Sequence, residues 1–270
     1  MEKVLAVTTD GKLTYCMASP ENRGKGRCNH VAHQSENEST EDFMRRISED
    51  LLKQAISNQK EEILSLDNSE KLRMIENREN LDVLVNDKKT KIRVEVAKQG
   101  YGLDKLVDDK NWVVRVAVAR QGYGLDKLVN DKDYNVREVV AEKGYGLDKL
   151  INDEEEIIRA EVAKHGYGLD RLINDTTSTV RVAVARQGYG LDRLVDDRSP
   201  FVRKAVARQG YGLDKLVDDK DPDVRAEVAR QGYGLDKLAN DTHPFVRMTV
   251  AKQGYTSVEE TEDKTTKNHP

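Results

Sequence analysis

Four residues near the N-terminus have side chains that bind a soft metal: Cys16, Cys28, His30 and His33. Two thiolates and two imidazoles suit tetrahedral zinc, and a bound ion would stabilise a segment with little apolar core of its own. The spacing differs from the common zinc patterns, so the set is a candidate zinc site whose plain alternative is a group of loop residues. A Cys/His nucleophilic centre would need a third residue to orient the base, and none can be identified. Gly24-Lys25-Gly26-Arg27 lacks the Lys-Ser/Thr of a P-loop and reads as a basic loop. No catalytic constellation emerges, and a chain without enzymatic activity is expected.

The remaining charged residues recur. An Asp stands six residues before an Arg at Asp87/Arg93, Asp109/Arg115, Asp131/Arg137, Asp153/Arg159, Asp175/Arg181, Asp197/Arg203, Asp219/Arg225 and Asp241/Arg247. Such an Arg, flanked by core Val, needs an acid partner on the next helix or the adjacent repeat, which makes a structural ladder the favoured reading over a phosphate-reading row. Two further rows are basic. One contains Arg120, Arg186, Arg208 and Arg230 and is broken by Glu142; the other contains Lys105 and Lys127. With Tyr123 and its equivalents between them, these rows could alternate cation and aromatic as a single-strand nucleic-acid surface does. Against this, each Lys127-type residue follows an Asp126-type acid, and residues 81–255 carry 31 Lys or Arg against 30 Asp or Glu. A phosphate-binding face is therefore the alternative expectation, not the first. Specificity in a uniform array must lie where the units differ. The first turn of the longer helix in each unit varies most and presents Trp112, Tyr134, Phe201 and Phe245, the expected anchors for a protein partner.

The elements that position these residues follow from a period of 22. Gly-Tyr returns at residues 100, 122, 144, 166, 188, 210, 232 and 254, followed in most units by Gly-Leu-Asp-Lys/Arg-Leu. A fixed period of this length marks units that bury their apolar faces only against one another. Leu103, Leu106 and Val107 predict a short helix of about six residues, and Val114, Val118 and Ala119 a second of about ten. Asn111, Asp133, Thr177, Ser199 and Asp221 read as its N-caps, with Pro200, Pro222 and Pro244 at the first helical position. The Gly of each Gly-Tyr pair would close it in a left-handed conformation. Helical spacing within Leu-Asp-Lys-Leu disfavours a leucine-rich horseshoe.

Outside the array, Val4–Thr8 and Lys12–Cys16 flank Asp10-Gly11 and predict a β-hairpin. Ser39 reads as the N-cap of a helix with a buried stripe of Phe43, Ile47, Leu51 and Ile56. Residues 59–80 fit the repeat poorly, as a degenerate terminal unit would. The expected organisation is a Cys/His hairpin module at 1–38, a helical cap at 39–80, the repeats at 81–255 and a polar, disordered tail at 256–270. The fold class expected is all-α: a superhelical solenoid of two-helix repeats preceded by the small hairpin. The 270 residues are 35% charged with net charge −4, which argues against a general polyanion binder. No apolar run approaches a membrane span, and two cysteines do not make a disulfide scaffold, so a cytoplasmic protein without a membrane partner or small-molecule substrate is expected.

Leu213-Asp214-Lys215-Leu216-Val217-Asp218-Asp219 followed by Val224-Arg225-Ala226-Glu227-Val228-Ala229 resembles the leucine-rich repeat variant family, whose unit reads roughly Leu-x-x-Leu-x-x-Asp-x-x-x-x-Val-Arg-x-x-Val-Ala. The resemblance covers about residues 81–255. It implies a short 3₁₀-like helix paired with an α-helix, a relationship to HEAT-type repeats and macromolecular binding without a shared reaction. The present unit is slightly shorter and carries Gly-Tyr-Gly where that family often has Asn-Pro.

Overall fold

Helices shorter than about 12 residues are marginal in water on their own, so a chain built from them must stack them. The computed structural model shows such a chain. It describes residue 35 and residues 37–255 in full, and the backbone of 3–7, 13–17 and 30–33. The chain divides into two compact units, Met1–Ile92 and Arg93–Pro270. Among the described residues it is helical apart from three short strands, and none of its helices is long and apolar enough to cross a membrane.

In the first unit, β1 (Lys3–Val7) pairs antiparallel with β2 (Leu13–Met17), and β2 with β3 (His30–His33). Helix α1 (Thr40–Ser65) starts at Ser39, whose side chain accepts the Asp42 N–H. Phe43 and Ile47 are buried as the stripe predicts, but Leu51 is only partly covered and Ile56 is exposed. Helix α2 (Asn68–Glu76) is capped by Asp67, and α3 (Leu81–Leu84) follows it. Shifted by 22 residues, α2 falls on α4 (Thr90–Lys98), so the helical register begins before the first Gly-Tyr pair. Arg78 and Asn80 take left-handed φ values of 61° and 52° at the positions that glycines hold in later units.

The second unit alternates one-turn and longer helices. The short ones are α5 (Leu103–Leu106), α7 (Leu125–Leu128), α9 (Leu147–Leu150), α11 (Leu169–Leu172), α13 (Leu191–Leu194), α15 (Leu213–Leu216) and α17 (Leu235–Leu238). The longer ones are α6 (Trp112–Arg120), α8 (Tyr134–Glu142), α10 (Glu156–Lys164), α12 (Ser178–Arg186), α14 (Pro200–Arg208), α16 (Pro222–Arg230) and α18 (Pro244–Lys252). They hold four and nine residues, slightly fewer than the apolar spacing suggests, because Val107-type residues act as C-caps. Each longer helix packs on the next, from α6 through α18. Leu128, Val136, Val140 and Ala141, with their equivalents, form the core. One fully buried Leu stabilises by about 1.5–3 kcal/mol, which is what holds a one-turn helix in place.

Asn111, Asp133 and Asp221 accept the expected capping hydrogen bonds, whereas Thr177 and Ser199 occupy the cap position without one. The Thr177 hydroxyl donates instead to Asp175 Oδ1 at 2.9 Å. At the other end of α6, Gly122 N–H donates to the Ala119 carbonyl and Tyr123 N–H to the Val118 carbonyl, the paired bonds of a Schellman cap. Gly124 then adopts φ +63° to open α7, and a Cβ there would lie 2.6 Å from Val107 Cγ2 in the preceding unit. The second glycine therefore serves backbone geometry and close packing between units at once.

Candidate interaction face

The Arg row is used within the fold. Arg115 Nε and Nη2 donate to the Asp131 carboxylate at 2.6 and 2.8 Å, and Nη1 donates to the Asp109 carbonyl at 2.7 Å. Asp131 Oδ1 also accepts the Asp133 N–H at 2.9 Å. The same bidentate pairing joins Arg93 to Asp109, Arg137 to Asp153, Arg159 to Asp175, Arg181 to Asp197, Arg203 to Asp219 and Arg225 to Asp241. Each Arg thus ties its own unit's turn to the Asp of the following unit, and Arg115 is left 6% exposed. In the first unit Lys71 takes the equivalent position, buried, with Nζ 2.7 Å from both Asp87 Oδ2 and the Leu64 carbonyl. The Asp131 hydrogen bonds raise the Arg115 pKa further above its already high ordinary value. From Arg93 to Arg225 a ladder so satisfied offers no guanidinium to a phosphate, while Arg247 at its end is exposed and, among the described residues, donates only to the Asp241 and Thr242 carbonyls.

The exposed basic rows are partly spent on carboxylates. Lys127 pairs with Asp108 of the preceding unit, and Lys215 with Asp196 and Lys237 with Asp218, both at 2.5 Å. The neutralising acid is thus in the neighbouring unit, where adjacency in sequence points to Asp126. Asn174 stands in that acid position opposite Arg193 and accepts from Nη2 at 2.7 Å. Lys105 has no ion pair among the described residues, nor do Arg120 and Arg186, while Arg208 and Arg230 clamp the buried Glu227 at 3.0 and 2.9 Å. Burial pushes the Glu227 carboxyl up, but the Arg208 and Arg230 contacts outweigh it and hold the group below its usual range. Tyr123 and its equivalents from Tyr101 to Tyr233 are exposed, and Tyr255 is half-buried. The seven residues expected for a nucleic-acid face therefore include three cations engaged with acids.

The four expected anchors fall on two positions, not one. Trp112 and Tyr134 open α6 and α8 as first residues and are 40% and 45% exposed. Phe201 and Phe245 are second residues of α14 and α18, about 100° further round the helix. Phe201 is 68% exposed. Phe245 is half-buried, with the Arg230 guanidinium 5.6 Å from its ring centroid. Ile157 and Thr179 share the second position on α10 and α12. Together with Phe201 they line a groove of 440 Å³ that continues over Ala160 and Val182 to Lys164 and Arg186. Reading the variable first turn alone missed this groove. Its signal is the same helix face one and two turns on: Ile157, Ala160 and Lys164 at i, i+3 and i+7.

In the sheet, Cys16 is paired with Val31, Met17 with His30 and Thr14 with His33. By strand alternation Cys16 and His33 occupy one phase and His30 the other. Cys28 lies outside the described residues, as does the 256–270 tail.

Compared with known proteins, the chain matches no family model, and a search of curated proteins gives no significant match. Its function is therefore argued from the site alone.

Proposed function

We propose that the repeats form an α-solenoid of 22-residue two-helix units, a short relative of HEAT-type arrays akin to the leucine-rich repeat variant family, acting as a non-enzymatic scaffold that binds a protein partner in the cytoplasm. The observation that carries this reading is the division of labour within each unit. The buried charges are matched to one another across the ladder, while Trp112, Tyr134 and Phe201 remain exposed. Exposed aromatics in a rigid frame are the residues that dominate protein interfaces. A variant with Trp112, Tyr134, Phe201 and Phe245 all changed to Ala is expected to lose at least about tenfold in partner capture, the scale of hot-spot loss. Full capture by that variant in a pull-down would remove the proposal.

The antiparallel pairing of Lys3–Val7 with Leu13–Met17 supports a small hairpin module ahead of the helices. Of the four expected zinc ligands Cys16, Cys28, His30 and His33, strand alternation gives Cys16 and His33 a common face and sets His30 on the other, so Cys16, Cys28 and His33 are the candidates kept. Equimolar zinc in the purified protein, lost in Cys28→Ser, supports that assignment, and zinc-free protein refutes it.

A further inference from the structure

Phe201 is the most exposed large apolar side chain among the described residues. It stands at one end of the α10–α12–α14 groove, beside Ile157 and Val182. At the other end the helices finish in Lys164, Arg186 and Arg208. Arg186 has no ion pair among the described residues; Lys164 has Glu161 at 2.5 Å, and Arg208 reaches Glu227 from a side chain that is still half exposed. Lys204, on the same face of α14, has only a 3.8 Å contact to Asp223. At the Phe201 end, Glu156 accepts from the Thr179 hydroxyl at 3.3 Å. This stretch therefore sets Lys164, Arg186, Lys204 and Arg208 against Glu156 and Glu161.

The two flanking helices differ from this stretch. At the corresponding positions α8 presents Glu138 and Glu142, which reverse the sign, whereas α16 carries Asp223, the buried Glu227 and Arg230, which continues the basic row. Burial, then the charges of Glu142 and Glu161, push the Glu138 carboxyl up, as expected where acids crowd. In an array of near-identical units a ligand can shift by one repeat at little cost in shape, so charge that changes sign along the face must set its register. A negatively charged ligand is held at α10–α14 and repelled on the α8 side, where Glu138 and Glu142 replace the cations. The apolar floor and Glu161 disfavour a bare phosphate backbone, which needs cations along its length.

We propose that the groove across α10, α12 and α14 docks a short acidic segment of a partner protein. A bulky apolar side chain of the segment seats against Ile157, Val182 and Phe201, and its carboxylates meet Lys164, Arg186 and Arg208. This rests on the scaffold reading and adds the chemistry and register of what is bound.

The test is a peptide-display selection on the full-length protein, followed by fluorescence anisotropy with the enriched peptide. The expected peptides carry Asp or Glu on either side of a Leu, Ile or Phe, and bind more weakly as salt rises. Arg186→Glu and Phe201→Ala, both at exposed positions, should each weaken binding by about tenfold, with Leu52→Ala, at an exposed position on α1, leaving it unchanged. Peptides whose binding is lost in Trp112→Ala but not in Arg186→Glu would overturn the groove assignment while upholding the scaffold reading. Enrichment of basic peptides, or of none, would overturn the inference, with the four-alanine pull-down deciding the scaffold reading separately. Salt-sensitive binding of a uridine-rich single-stranded RNA, lost in Arg186→Glu and not displaced by the peptide, would also overturn it in favour of nucleic acid.

Discussion

Arg115 and Lys127 are both repeated cations, and each is paired with a carboxylate of a neighbouring unit, Asp131 and Asp108 respectively. Around Arg115 the side chains are 8% and 6% exposed; around Lys127 they are 56% and 61% exposed. The first pair lies between stacked units, where removing either partner strands a charge out of water. The second lies in solvent, where water replaces whatever is removed. Repetition is thus no guide to importance: the position of a group relative to the junction between units decides what it contributes.

The widest break of that comparison is acid, which acts on many rungs together. Burial pushes the Asp131 carboxyl up, but Arg115 and the Asp133 N–H outweigh it and hold it below the usual carboxylate range. Asp109, Asp175, Asp197 and Asp219 follow the same balance, and at Asp241 the Arg225 hydrogen bonds lead. A carboxyl whose folded pKa lies below its unfolded value of about 3.9 contributes stability in full above that value and loses it as pH falls through the folded one. Thermal melts at fixed ionic strength should therefore be level from about pH 7 to 5 and fall steeply below about pH 4. A midpoint that holds down to pH 2 would contradict the ladder.

Next in size is a single rung. Asp131→Ala should cost about 3–5 kcal/mol, seen as a lowered urea midpoint and as faster hydrogen exchange centred on α6 and α8. A loss below about 1 kcal/mol would place this rung with the surface pairs. The glycines supply a smaller contrast of the same kind. Gly122→Ala meets no atom within 4 Å and bears only the left-handed backbone cost, about 1–2 kcal/mol. Gly124→Ala must also displace Val107 of the preceding unit and should cost more. Equal urea midpoints for the two variants would deny the close approach. Least of all, Lys127→Ala should change stability by about 0.2–1 kcal/mol, with the difference shrinking in 1 M salt.

Part of this is legible without coordinates. The period, the two helices, the Asn/Asp caps and the left-handed Gly all depend on near neighbours in the chain, whose geometry is local. At the N-terminal end residues 59–80 read only as a degenerate unit, for a chemical reason: Lys71 does the work of Arg with a different head group. On α14 and α18, grouping Phe201 and Phe245 with Trp112 and Tyr134 overlooks that successive residues of a helix point about 100° apart. The far half of the α1 stripe shows the opposite error: Ile56 has helical spacing but is left exposed.

Spacing alone establishes that Arg and Asp alternate; it leaves open which Asp each Arg holds. With units of 22 residues, an Asp six residues before one Arg is also sixteen after the Arg of the preceding unit, and both distances recur all along the chain. Stacking resolves the choice in favour of the Asp sixteen residues on, because that carboxylate is presented across the junction to the guanidinium fork. The same stacking gives Lys127 to Asp108 and lines Ile157, Val182 and Phe201 along one groove. Local rules write each unit. How one unit lies on the next is a matter of packed side chains, and only the folded structure contains it.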